Sequence, residues 1–236
     1  MVIIGATGQD IAVKLNRLHP ELPEVQGRVR ARVPFSKREA YGYQAAALYH
    51  LAKPYNVAGA NILEIGTAWG YTAAHLAEAA PLASIVTLNP KKIEVPAARA
   101  HLRLYQNVTV VPRMSWDYLA DYAGPYLDFI FVDGDHGAVA RDLPWWEWLL
   151  PGGCIVFHDY APKGARNRPC PPVYNTLNAF TDALDRGFDV LIVDDGGAGL
   201  AGFYRGKDEP LPDLDLWGLV WHLDIPTHTW QPGAQP

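Results

Sequence analysis

The stretch NILEIGTAWGYTAAHLA, residues 61–77, constrains the fold of this chain more than any other. Its mostly apolar run ILEI predicts a short buried strand, and the loop from Gly66 to Gly70 leaves room at the backbone for a ligand. From Tyr71 the pattern becomes helical. A strand, a glycine loop and a helix N-terminus expose free backbone amides, and Glu64 at the end of the strand can accept hydrogen bonds. The stretch therefore predicts a cradle for a nucleotide-like molecule.

The glycine spacing in this stretch differs from that of dinucleotide-binding folds, which use G-x-G-x-x-G. Here three residues separate the two glycines, and an acidic residue lies two positions before the first. The string LEIGTAWGYTA resembles motif I of class I S-adenosylmethionine (SAM) methyltransferases, in particular the catechol O-methyltransferase type. The resemblance implies that SAM is bound by the cofactor residues Glu64, Gly66, Thr67, Gly70 and Tyr71. The alternative is an ordinary strand-to-helix turn that needs glycine only for its geometry.

Composition narrows the class of protein. With 236 residues, 49% hydrophobic and 19% charged, the chain can hold one α/β domain with additions or two small ones. Its net charge of -5 argues against a general nucleic-acid-binding protein. Cys154 and Cys170 are its only cysteines, so a disulfide scaffold is not expected and a reducing cytoplasm is. No apolar run reaches the ~20 residues of a membrane helix, and no secretory signal begins the sequence. We expect a cytoplasmic protein with neither nucleic-acid nor membrane partners.

The first 35 residues are interpreted as an accessory segment. MVIIGATG resembles the start of a dinucleotide-binding unit, but it lacks a third glycine, and Pro20 and Pro23 leave little room for such a unit. In residues 26–34, arginines alternate with apolar residues, which favours an edge strand or an extended arm. Ser36 and Glu39 have capping-box spacing and predict a helix that ends before Pro54.

Two strand ends carry further candidate cofactor residues. The strand ASIVTL ends at Asn89, where the resembling family carries an acidic residue that binds the ribose hydroxyls. An amide can accept a hydrogen bond there, but without the charge of a carboxylate. Ser115 and Trp116 follow the next strand and, by the resemblance, contact adenine. Ser115 is equally suited to cap the helix that follows, and the two roles are compatible.

Carboxylates and imidazoles follow two later strands. YLDFIFV runs into Asp133 and then His136, and CIVF runs into His158 and Asp159. Parallel strands place their carboxyl ends at one edge of the sheet, so Asp133 and Asp159 should meet. Two carboxylates repel each other unless a proton or a cation lies between them, and oxygen ligands suit Mg²⁺ or Mn²⁺. Such a metal would acidify a substrate hydroxyl, and His136 can take its proton near neutral pH.

The string FVDGDHGAVARDLPWWEWLLPGGCIVFHDY resembles a branch of class I methyltransferases that includes metal-dependent sugar and macrolide O-methyltransferases and cephalosporin hydroxylase-like proteins. The resemblance implies that Asp133 and Asp159 are metal ligands and that His136 is the general base. His158 falls where relatives often carry a third, acidic ligand, and histidine suits Mn²⁺ or Fe²⁺ better than Mg²⁺. In the alternative, Asp133 binds only the SAM amino group and both histidines are structural.

Taken together, these patterns predict one α/β domain over residues 36–207, with an accessory segment before it and a Pro/Trp-rich tail over residues 208–236. The domain should be Rossmann-like, with a seven-stranded, mostly parallel sheet, an antiparallel last strand and helices on both faces. We expect SAM-dependent methyl transfer to a hydroxyl of a small molecule such as a sugar, polyketide or phenol, and homo-oligomerisation is left open. Two other functions remain: a metal-dependent oxygenase or hydroxylase on the same fold, and a non-catalytic ligand-binding module.

Overall fold

The computed structural model describes residues 1–33, 42–161, 170–194 and 199–215. The predicted cap at Ser36 and the Trp-rich part of the tail lie outside these ranges. The described strands are β1 (Val2–Ala6), β2 (Asn61–Ile65), β3 (Ser84–Leu88), β4 (Val108–Val111), β5 (Leu127–Val132), β6 (Leu149–Tyr160), β7 (Val190–Asp194) and β8 (Gly199–Tyr204). The α-helices are α1 (Gly8–Leu18), α2 (Leu22–Arg32), α3 (Gly42–Ala52), α4 (Tyr71–Ala79), α5 (Val95–Leu102), α6 (Ser115–Ala120) and α7 (Pro171–Leu184), and two 3-10 segments span Lys53–Tyr55 and His136–Trp148.

The strands form a single eight-stranded sheet in the order β1-β7-β8-β6-β5-β2-β3-β4. β8 runs antiparallel to both β6 and β7, and the other neighbours are parallel. The predicted α/β architecture, with its mostly parallel sheet and antiparallel last strand, is confirmed. The described sheet has one strand more than the seven predicted, because β1 pairs in parallel with β7. The N-terminal segment thus supplies an edge of the sheet.

The segment that follows α1 is a helix, and the edge strand or arm predicted at residues 26–34 is wrong. Leu22, Val25 and Val29 have the three- and four-residue spacing of one helix face, and each is at most 2% exposed. Arg28 extends from this helix to Glu78 of α4, with 2.7 Å between Nη2 and Oε2. The arginine alternation is compatible with a strand, but packing against α4 favours the helical period.

The core lies in two hydrophobic clusters, which contain alternate residues of the central strands. Ile62 belongs to one cluster and Leu63 to the other, because successive side chains of a strand point to opposite faces. Trp145 and Trp146, both fully buried, come from the 3-10 segment His136–Trp148. This segment does not continue as a regular α-helix, because Pro144 lies inside it and has no amide hydrogen for a helical bond.

The carboxyl ends of β2 to β6 share one edge of the sheet, because these five strands pair in parallel. The candidate site residues lie at these strand ends, in the loops just beyond them or in the first turns of the helices that follow. Among the described residues, no helix is both long enough and apolar enough to cross a membrane.

Candidate active site

A cavity of about 660 Å³ opens at the carboxyl ends of the central strands. This volume is in the range of small-molecule and cofactor sites, which is roughly 300–1,000 Å³. Six of the predicted site residues line it: Gly66, Asn89, Ser115, Trp116, Asp133 and His136.

Gly66 has a φ of +109°, and a β-carbon at this position would lie 2.0 Å from the carbonyl oxygen of Asp133. A side chain is therefore excluded by the neighbouring strand end, in addition to the conformational strain. Gly70, with a φ of +90°, directly precedes α4. The glycines meet a geometric requirement of the turn, and at Gly66 the same turn also forms part of the cavity wall.

Glu64 lies fully buried beneath the glycine loop. Thr87 Oγ1 donates a hydrogen bond to Glu64 Oε2, and Thr67 Oγ1 lies 2.5 Å from Thr87 Oγ1. Burial raises the pKa of Glu64 to about 7. Glu64 does not line the described cavity, and neither do the other predicted cofactor residues Thr67, Gly70 and Tyr71. The network of Glu64 and the two threonines instead supports the loop from below.

Ser115 is the first residue of α6, and the N-cap residue is Met114. The alternative role of Ser115 as the helix cap is therefore wrong. Its hydroxyl donates to Asp142 Oδ1, and burial raises the pKa of this almost fully buried aspartate to about 7. Because the hydroxyl hydrogen is engaged, the Ser115 oxygen remains an acceptor for a ligand. Next to it, the Trp116 ring has the Arg141 guanidinium 4.0 Å from its centroid.

Four side chains from the ends of β5 and β6 meet beside this cavity. One donor atom from each lies within 4.8 Å of the others. His136 Nε2 is 3.3 Å from both Asp133 Oδ1 and Asp159 Oδ2. His158 Nδ1 is 3.1 Å from Asp133 Oδ1 and 3.2 Å from Asp159 Oδ1. The two strand ends thus bring together every residue that the sequence predicts for the metal and the base.

The donor set fits a divalent cation. Adjacent ligands around one ion, with bonds of about 2.1 Å, lie roughly 3.0–3.4 Å apart, and the four histidine–aspartate contacts in this cluster measure 3.1–3.3 Å. His158 Nδ1 is buried, faces both carboxylates and makes no hydrogen bond of good geometry among the described residues. A shared cation would satisfy this nitrogen and both carboxylates together.

Burial and ion pairing act in opposite directions within this cluster. Burial raises the pKa of Asp133, but His158 and His136 outweigh it and lower the pKa to about 2. Burial lowers the pKa of His158, because it disfavours the charged imidazolium, but Asp133 and Asp159 raise this pKa by more than burial lowers it. The histidines therefore carry the positive charge that balances two crowded carboxylates, and a bound cation would replace that charge and leave the imidazoles neutral.

Gln44 of α3 belongs to this site and was missed by the sequence analysis. It is fully buried, its Oε1 lies 2.9 Å from His158 Nε2, and its amide nitrogen donates to Tyr43 Oη at 3.3 Å. A hydrogen bond from His158 Nε2 to this carbonyl keeps the other ring nitrogen, Nδ1, directed at the carboxylates. The one signal in the sequence is a lone amide inside the apolar helix GYQAAALYHLA.

Comparison with known proteins gives a consistent result. Residues 63–160 match a family model described as a methyltransferase domain. A cofactor-bound protein from MTB superposes with a TM-score of 0.62 at 22% identity, covering 84% of this chain and 97% of the other. An O-methyltransferase from Bacillus cereus in complex with SAH gives 0.57 at 22% identity, covering 79% and 91%. TomG from Streptomyces achromogenes, an O-methyltransferase of tomaymycin synthesis in complex with SAM, gives 0.58 at 22% identity, covering 82% and 95%. No curated protein sequence matches this chain significantly.

At this level of identity the likenesses to solved structures establish the fold. The family match is independent of them, and residues 63–160 include the glycine loop and both strand ends of the four-residue cluster. Residues 63–160 of this chain therefore match the methyltransferase-domain family, and the described chain shares its fold with SAM- and SAH-bound O-methyltransferases.

Proposed function

We propose that this protein transfers the methyl group of SAM to a hydroxyl oxygen of a small molecule, with a divalent metal, Mg²⁺ or Mn²⁺, at the acceptor side. One observation carries the proposal: a cavity of cofactor size is continuous with a cluster of two aspartates and two histidines, and Asp133 and His136 belong to both. The fold shared with SAM- and SAH-bound O-methyltransferases supports the choice of donor and of oxygen as the acceptor atom.

The cavity offers different groups to different parts of SAM, which supplies an electrophilic methyl on a sulfonium. Trp116 offers a ring face and Ser115 a hydrogen-bond acceptor, which suit the base. Asp133 lies at the end of β5, across the cavity from Trp116, and its carboxylate suits a cationic amino group. Glu64 acts indirectly, by holding the glycine loop through Thr87.

Asp133, Asp159 and His158 would hold the metal, which would lower the pKa of a hydroxyl bound to it. His136 lies at the rim of the cavity, with a side chain that is 38% exposed, and is placed to take the hydroxyl proton at Nε2. The hydrogen bond with Asp133 raises the pKa of His136, and a cation held by the aspartates would offset this effect and favour the neutral imidazole that accepts the proton.

Calorimetric titration with SAH tests the cofactor part of this proposal. Wild type should bind, and Trp116→Ala should bind about tenfold more weakly or worse, because stacking on an aromatic ring contributes that much. Tyr126→Ala is a matched control, since this exposed tyrosine does not line the described cavity. Absence of heat with the wild type would contradict the proposal.

Titration with Mn²⁺, followed by its EPR signal, tests the metal part. Asp159→Ala should abolish tight binding, and EDTA should abolish methyl transfer by the wild type. His136→Gln should still bind Mn²⁺ but lose about a hundredfold or more in kcat if this histidine is the base. Loss of Mn²⁺ binding in His136→Gln would make it a ligand instead, and full activity in EDTA would remove the metal from the proposal.

A second function is favoured by one feature of the same cluster. Two histidines with one carboxylate form the donor set of non-haem Fe(II) oxygenases, and His136, His158 and Asp159 provide it. Iron retained on anaerobic purification, together with substrate-dependent oxygen uptake and no SAH binding, would favour an oxygenase. SAH binding together with transfer of a labelled methyl group would exclude it.

The negative net charge supports a small-molecule acceptor over a nucleic acid. We also propose a cytoplasmic location, which two free cysteines support.

A further inference from the structure

Asn89 lies where the resembling family carries a ribose-binding acid, but its side chain is already occupied. The residue is 3% exposed, and its amide nitrogen donates to the carbonyl of Ala68 at 3.2 Å and to Glu94 Oε2 at 3.1 Å. Its amide oxygen accepts from the backbone nitrogen of Lys91 at 2.9 Å. Both amide hydrogens are used, and the side chain has no negative charge to offer a ligand.

The partner of Asn89 is a carboxylate that faces the same cavity. Glu94 directly precedes α5, lines the cavity, and has a side chain that is 18% exposed. Its Oε2 accepts from Asn89. Among the described residues, the one contact of its Oε1 is Lys91 Nζ at 3.6 Å, and that lysine is 64% exposed. A contact this long to an exposed lysine is weak. Glu94 is therefore a positioned carboxylate with acceptor capacity to spare.

We propose that Glu94 binds the ribose hydroxyls of the methyl donor and that Asn89 positions Glu94 for this task. The inference rests on the proposed SAM-dependent function. Asp133 follows β5 and Ser115 and Trp116 follow β4, and β3 lies between these two strands in the sheet, so a nucleoside that spans the cavity presents its sugar to the end of β3. A carboxylate there can accept from two neighbouring hydroxyls, as the ribose-binding acid of nucleotide folds does. Glu94 lies five positions after Asn89 in the chain, and the sequence analysis did not consider it.

Calorimetry with SAH and its 2′-deoxy and 3′-deoxy analogues tests this inference on the intact chain. Glu94→Gln is the informative variant, because the amide can still accept from Asn89 while the charge is lost. It should bind SAH about tenfold more weakly than wild type or worse, the usual loss for a hydrogen bond to a charged group. Glu24→Gln is the matched control: this glutamate is 79% exposed on α2 and does not line the described cavity.

The analogues supply a readout that a purely structural role of Glu94 would not change. Wild type should bind the deoxy analogues clearly more weakly than SAH. Glu94→Gln should bind them only slightly more weakly than SAH, because its hydrogen bond to that hydroxyl is already weakened. Equal penalties for the analogues in the two proteins would overturn the inference, and so would unchanged SAH binding by Glu94→Gln. Circular dichroism and the melting temperature check that the variant is folded. Failure of wild type to bind SAH would instead overturn the proposed function.

Discussion

Glu64 makes stability depend on pH, because its carboxyl group is fully buried. Burial raises its pKa from 4.5 to about 7 in the folded chain, so the folded state keeps this proton to higher pH than the unfolded state does. Its contribution to stability is therefore greatest below pH 4.5, falls as the pH rises towards 7, and is constant above that.

Glu64→Gln should remove this dependence. Relative to wild type, the variant should gain up to about 3 kcal/mol in unfolding free energy between pH 4.5 and pH 8. Urea unfolding at pH 4.5, 6 and 8 measures the gain. Glu24→Gln, on the exposed face of α2, should show no comparable trend. The same wild-type-to-variant difference at every pH would contradict the assignment.

Gln44 contacts the cluster of two aspartates and two histidines through a hydrogen bond to His158. Gln44→Leu should weaken Mn²⁺ binding by about 10- to 100-fold, because an outer partner orients the ligating ring. Gln44→Glu keeps an acceptor for His158 Nε2 and should recover most of the affinity. EPR titration measures both, with the melting temperature as a check on folding. Equal Mn²⁺ affinity in Gln44→Leu and wild type would show that His158 needs no such support.

At the scale of single residues, the sequence predicted the groups that directly follow strands. Asp133 and Asp159 were predicted to meet, and they lie together with both histidines. Gln44 is 114 positions from His158, and nothing local indicates that pairing. Glu94 was missed for a different reason: the family position pointed to Asn89, and only the contact between the two side chains reveals the carboxylate.

Among the elements, α2 is the clearest departure from the sequence-based expectation. Alternating arginines fit a strand of period two, while Leu22, Val25 and Val29 fit a helix of period 3.6. Local sequence leaves both periods open. Burial of the apolar face against α4, with Arg28 and Arg32 paired to Glu78, decides for the helix.

Gly27 provides a test of this helix. It is exposed in the middle of α2, and a β-carbon there would meet nothing within 4 Å. Gly27→Ala should raise the unfolding free energy by roughly 0.5–1 kcal/mol, because alanine has the higher helix propensity. Gly27→Val should gain less than alanine, since a β-branched side chain is restricted in a helix. Urea unfolding measures both variants, and the opposite order, valine above alanine, would indicate an extended segment.

For the molecule as a whole, β1 joins the N-terminal residues to the sheet through its pairing with β7. Ile3 of this strand packs against the larger of the two core clusters. We expect Ile3→Ala to lower the unfolding free energy by about 1–2 kcal/mol, less than for a fully buried isoleucine, in one cooperative transition. Val2→Ala is the control, because Val2 is 60% exposed and should matter little. Thermal unfolding followed by fluorescence and circular dichroism checks both, and two separate transitions would mark the N-terminal residues as an independent unit.

By itself, the sequence determined the α/β architecture, the glycine loop after β2 and the reactive groups after β5 and β6. These features depend on neighbours along the chain: apolar runs make strands, glycines permit tight loops, and parallel strands end at one edge. Only the tertiary structure decided that β1 extends the sheet, that α2 is helical, and that Gln44 and Glu94 belong to the site. Those outcomes depend on which surfaces are buried together and which polar groups then lack water, and neither is encoded in local spacing.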